Sequence, residues 1–221
     1  MMQTPELYAS RADPHTVATF RALVDAIVPY TPELAAYGAE QPIGAVQQHV
    51  HEYMIWSLDH TLTLVLDYYP EIVPLAAPTA GLLNAGAAQL VASGQAKYAA
   101  QGAIAGSPVP FAALSPADRI RTMAILEKLQ IDLGLLPPPY RDDGGLVKFI
   151  IDYLNRGTMF GNYSEWPGYG TTRLNTPTRR RLEFFPIGWR QTGYPGVSKG
   201  YRAVRGILMT IVREGGKSTI V

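Results

Sequence analysis

Between Asp13 and Pro29 the apolar residues Val17, Phe20, Val24, Ile27 and Val28 recur at the spacing that gathers them on one face of an α-helix. Asp13 offers a carboxylate at the N-cap and Pro14 sits at the first helical position, where its missing N–H is harmless. The next amphipathic run extends from about Gly44 to Tyr69. It places Val46, Val50, Tyr53, Met54, Ser57, Leu58, Thr61, Leu62 and Val65 on one side before Pro70, which predicts a long, central, largely buried helix. Residues 74–106 are rich in alanine and glycine, with Leu82, Leu83, Leu90 and Val91 as the larger apolar groups. They predict a helix packed closely because its side chains are small.

Ser115-Pro116-Ala117-Asp118 is a capping box with proline at the first helical position, and it introduces Ile120, Met123, Ala124, Leu126 and Leu133. Pro137-Pro138-Pro139 ends that element. A further apolar stripe, Leu146, Phe149, Ile150, Tyr153 and Leu154, marks a helix from about Gly145 to Arg156. Ser198 is placed to cap a closing helix with Tyr201, Val204, Ile207, Leu208 and Ile211 on one face, ended by Gly215-Gly216. No stretch alternates with period two for long enough to propose a sheet. The pattern therefore predicts an all-α protein, a single helical domain of about six helices. Its parts are an N-terminal arm (1–12), a helical core (13–156), an aromatic and glycine-rich cover loop without a clear period (157–197), a C-terminal helix (198–214) and a flexible tail (215–221).

Composition narrows the function classes. A chain of 221 residues that is 47% hydrophobic can bury roughly 70% of the surface it exposes when unfolded. No window approaches the 18 uninterrupted apolar residues of a membrane span. The first residues, MMQTPELYASRADPH, lack a basic n-region, an apolar h-region and a twin arginine. The expectation is a protein synthesised in the cytoplasm without a signal peptide, exported only with a partner. With no cysteine, disulfides, thiolate metal sites and cysteine nucleophiles are excluded.

Charge is unevenly distributed. Residues 1–100 carry three basic groups against nine acidic, and residues 101–221 carry 16 against nine, a net −6 facing a net +7. Either the two halves dock within one fold, or an acidic face meets a basic face of the next molecule. Arg179-Arg180-Arg181 is an isolated basic run without a binding motif around it, so no nucleic-acid partner is expected.

Several motifs imitate catalytic signatures. Gly196-Val197-Ser198-Lys199-Gly200 matches the nucleophile elbow G-x-S-x-G, but no strand precedes it and no histidine follows His60. Gly215-Gly216-Lys217-Ser218-Thr219 imitates the end of a P-loop, yet Ile211 stands where the first glycine belongs. Among the histidines, His15, His49, His51 and His60, the pair His49 and His60 share a helix face about 16 Å apart at 1.5 Å per residue, too far for one ion. No Glu-x-x-His occurs, so no metal site is expected. Asp142-Asp143 reads as a turn before the next helix. No catalytic residue and no cofactor of the chain's own is expected.

What stands out is aromatic. Ten of the 22 Phe, Trp and Tyr residues fall between Tyr153 and Tyr201. Large rings anchor an irregular segment that has no backbone ladder. Trp, Tyr and Arg are also the residue types enriched at protein interfaces. The candidate interface residues are Trp166, Tyr169, Arg173, Arg179, Arg180, Trp189, Arg190 and Tyr194.

The segments TVATFRALVDAIVPYT, Gly44-Ala45 and FAALSPADRI, and above all GTMFGNYSEWPGYG followed by GWRQTGYPG, resemble the small subunit, subunit 3, of gluconate 2-dehydrogenase over roughly residues 16–210. The resemblance implies a non-catalytic accessory subunit that binds an FAD-dependent sugar or sugar-acid dehydrogenase large subunit. FAD would then sit on the partner, with no cofactor on this chain. The other expectation is a structural protein that assembles with itself, as in a coat, sheath or crystalline inclusion.

Overall fold

The structure is a computed structural model that describes residues 12–66, 69–97, 110–196, 210–213 and 216–220. Among these residues the chain forms six α-helices: α1 (Pro14–Ile27), α2 (Val50–His60), α3 (Ala76–Ala92), α4 (Pro116–Glu127), α5 (Gly144–Tyr163) and α6 (Ile187–Thr192). Two short antiparallel hairpins accompany them. Strand β1 (Thr63–Leu66) pairs with β2 (Tyr69–Ile72), and β3 (Thr210–Arg213) with β4 (Gly216–Ile220). The class is all-α.

Two helix starts follow the capping chemistry of the sequence. Asp13 accepts the Thr16 amide at 2.9 Å and the Thr16 hydroxyl at 2.7 Å. Ser115 accepts the Asp118 amide at 3.2 Å, and its hydroxyl donates to the Asp118 carboxylate at 3.1 Å. Asp118 is fully buried, so its charge must be met inside the protein. The Lys97 amide and the Arg121 guanidinium supply that partnership, at 3.1 and 2.5 Å.

Helices α1 to α5 share one apolar core. Phe20, Leu23 and Val24 of α1 meet Val50, Met54 and Leu58 of α2, Leu82, Leu83 and Leu90 of α3, Leu126 of α4, and Val147, Ile150 and Leu154 of α5, all without solvent exposure. The opposed charges of the two halves meet within this framework. Arg119 pairs with Asp25 at 3.1 Å, Arg173 with Glu52 at 3.1 Å, and Arg190 with Glu40 at 3.6 Å. Each pair joins an acid of the first half to an arginine of the second, as internal docking requires.

Three boundaries differ from the sequence expectation. The long helix expected over 44–69 is confined to Val50–His60, because His49 adopts a left-handed backbone (φ 57°, ψ 29°) and the chain enters a hairpin at Thr63. The helix expected to end at Arg156 continues to Tyr163, seven residues into the expected cover loop. Its Gly157 and Gly161 are contact residues. A Cβ on Gly161 would lie 2.7 Å from the Tyr53 ring and 2.8 Å from Val50, and one on Gly157 3.0 Å from Met54. Small residues here let α5 lie close on α2.

The third difference is at the C-terminal end. Residues 198–209 of the expected closing helix, including its Ser198 cap, lie outside the described residues, but Thr210–Arg213 is a strand. Thr210, Ile211 and Val212 are β-branched, and such residues lose χ1 freedom in a helix and suit a strand. Gly216–Ile220, expected as tail, is that strand's partner.

Candidate functional site

The segment after α5 is fastened through backbone groups that the helix end leaves open. A helix has no internal partner for its last four carbonyls. The Ser164 hydroxyl donates to Gly161 O at 3.0 Å, and the Trp189 indole N–H donates to Tyr163 O at 2.9 Å. Helix α6 presses its backbone onto the same end. A Cβ on Gly188 would stand 2.2 Å from Asn162 O, a separation no side-chain carbon tolerates. Gly193, at φ 68°, then ends α6 in the left-handed conformation that suits glycine, and the Tyr194 amide returns to Trp189 O at 2.8 Å.

Trp166 is the second anchor. It is 2% exposed, and its indole N–H donates to His49 O at 3.1 Å. Tyr53 meets it edge-on at 5.5 Å and Trp56 tilts against it at 6.1 Å. The Arg180 guanidinium lies over both tryptophans, 4.1 Å from the Trp56 centroid and 4.9 Å from that of Trp166. Trp189, itself buried, receives Phe185 edge-on at 5.4 Å and Tyr194 at 5.0 Å.

The eight sequence-predicted interface residues therefore divide. Trp166 and Trp189 are buried anchors. Arg173 is spent on Glu52, Arg180 lies on the tryptophans, and Arg190 turns to Glu40. Tyr169 is half-buried and donates to Glu165 at 3.2 Å; burial first, then the Glu165 charge, raises its phenol pKa. Arg179 is exposed at the end of a 3₁₀ turn, Pro177–Arg179. Tyr194 is 46% exposed.

Around Tyr194 the surface is apolar and open. A groove of about 580 Å³ lies between the last turns of α5 and the α6 region, lined by Met159, Phe160, Tyr163, Trp189, Thr192 and Tyr194 together with Ser164 and Glu165. Phe160 is 63% exposed, a large apolar ring held in water. Sequence reasoning placed Met159, Phe160 and Tyr163 in a loop and did not single them out as interface. Helical phasing carries the signal: with Gly157 and Gly161 facing α2, residues 159, 160 and 163 fall on the outer side. The groove presents one carboxylate and two phenols beside the apolar Met159, Phe160 and Trp189, which suits contact with an apolar surface.

A second constellation lies at the start of α2. Residues two apart on a regular helix point to different sides, but the left-handed backbone at His49 brings its ring alongside that of His51, with centroids 6.0 Å apart. His49 Nδ1 is 3.1 Å from Glu52 Oε1, and Arg173 Nε donates to Glu52 Oε2 at 3.1 Å. His51, Glu52 and His49 each place a ligand-type atom within 4.8 Å of the others. His51 is buried, and burial lowers its pKa to about 4, with a smaller opposing pull from Glu52. Its Nδ1 has no hydrogen-bond partner. The sequence comparison of His49 with His60 overlooked this set, whose signal is the spacing His-x-His-Glu.

Compared with models of protein families, with curated proteins and with solved structures, the chain matches none of them. Among the described residues, no helix is long and apolar enough to cross a membrane.

Proposed function

We propose that this chain is a non-catalytic accessory subunit whose exposed aromatic groove docks onto the large subunit of an FAD-dependent sugar or sugar-acid dehydrogenase. One observation carries the reading. Every residue lining the groove comes from GTMFGNYSEWPGYG or GWRQTGYPG, the two segments in which the sequence most resembles gluconate 2-dehydrogenase subunit 3. The glycines and tryptophans of those segments fix the walls from behind, and Phe160, Tyr163 and Tyr194 face outward. Interfaces concentrate energy in such aromatic anchors. Asp25, Glu40 and Glu52 are paired within the chain, which supports docking of the two halves within one fold over an acidic face offered to a second molecule.

Co-purification from the native cell is the test, read by flavin absorbance and by the size of the complex. The wild-type chain is expected to carry one flavoprotein. Phe160→Asp, at an exposed site, is expected to weaken that association about tenfold or more while leaving the circular dichroism spectrum unchanged. A colourless homo-oligomer, or a flavoprotein complex indifferent to Phe160→Asp, overturns the proposal.

A further inference from the structure

Glu52 and His49 satisfy each other, and Arg173 holds the remaining Glu52 oxygen, yet His51 beside them is left with a buried Nδ1 that meets nothing. His51 is 7% exposed, so water reaches little of it. A buried polar atom without a partner is costly and calls for an explanation. A hydrogen-bonded pair with a bystander accounts for two of the three side chains. A cation bound through His51 Nδ1 accounts for all three.

We infer that His49, His51 and Glu52 form an open binding site for one divalent first-row transition cation of the zinc type. Two imidazoles and one carboxylate are a familiar donor set for such ions, with water completing the coordination. Donors around zinc stand roughly 3.4 Å apart in a tetrahedron, so the 4.8 Å limit on the present separations asks for at most about 1.4 Å of closure. His49, with its side chain 46% exposed, has room to supply it.

The surroundings hold the set in place. The Trp166 indole fixes His49 through its carbonyl, and Arg173 holds the other oxygen of the Glu52 carboxylate, as outer partners of metal-bound carboxylates do. His51 is buried in the first turn of α2. This site is separate from the groove: no groove-lining residue belongs to it. It stands or falls independently of the accessory-subunit reading.

The test is calorimetric titration of tag-free, chelator-stripped full-length protein with Zn²⁺, repeated with Co²⁺ to read visible ligand-field bands. One equivalent is expected to bind with a Kd at or below about 10 μM. His49→Ala and Glu52→Gln are expected to weaken binding about tenfold or more, and His51→Ala to abolish it. Because His49 is exposed, its variant decides the matter even where His51→Ala fails to fold. His15→Ala and His60→Ala are expected to bind as wild type. Absence of saturable binding, less than tenfold loss in His49→Ala, or equal loss in the His15 or His60 variants overturns the assignment.

Discussion

The guanidinium of Arg180 lies 4.1 Å from the centroid of the Trp56 ring, and this contact ties the arginine-rich part of the cover segment to the face of α2. A cation over a tryptophan contributes about 0.5–2 kcal/mol, more as water is excluded. Arg180→Ala is expected to lower unfolding stability by about 1 kcal/mol in urea titrations. Arg180→Lys is expected to restore only part of it, because an ammonium lacks the planar guanidinium that stacks on both Trp56 and Trp166.

Trp189→Ala removes a buried ring that Phe185 and Tyr194 both meet edge-on, together with the donor to Tyr163 O. The expected loss is about 3–5 kcal/mol by denaturant melting. Trp189→Phe keeps most of the ring contact and loses the hydrogen bond, so about 1–2 kcal/mol is expected.

Two glycines in one motif answer to different constraints. Gly188→Ala drives a methyl group into Asn162 O and is expected to cost about 3 kcal/mol or more. Gly193→Ala meets no atom within 4 Å and pays only for its positive φ, about 1 kcal/mol. Equal melting temperatures for the two variants would contradict the close approach of α6 to α5.

His51 sets a pH dependence in chelator-treated protein. Its folded-state pKa is depressed to about 4 from 6.5, with burial as the first cause. The unfolded chain therefore takes up the proton first as pH falls. The stabilisation is fully present above pH 6.5 and is lost progressively towards pH 4, about 3 kcal/mol in all. His51→Phe is expected to flatten the stability profile across that window.

Much of the fold was legible where local chemistry and packing agree. Asp13 and Ser115 announce α1 and α4 by their caps, and both helices begin there. The failures share a cause, since residue type was read without its contact. Gly157 and Gly161 look like breakers along the chain, but in space they are the surface on which α2 rests. His49 carries no sequence mark of a left-handed backbone, and the apolar run after it suits a helix or a hairpin equally. At the groove, the buried anchors Trp166 and Trp189 were legible as aromatic density. Which rings face water depended on the phase of α5, invisible until its true end was known. The histidine set was missed because it needs the irregular backbone at His49.

The indole of Trp189 donates to a carbonyl 26 residues earlier, so the last turn of α5 is finished by a group that arrives only after the intervening chain has closed. Closing such a loop costs entropy before any contact repays it. This cap is expected to form late in folding. Weakening it is expected to open the native state faster while leaving the rate of folding nearly unchanged, so the cover segment acts as a latch on the lifetime of the folded molecule.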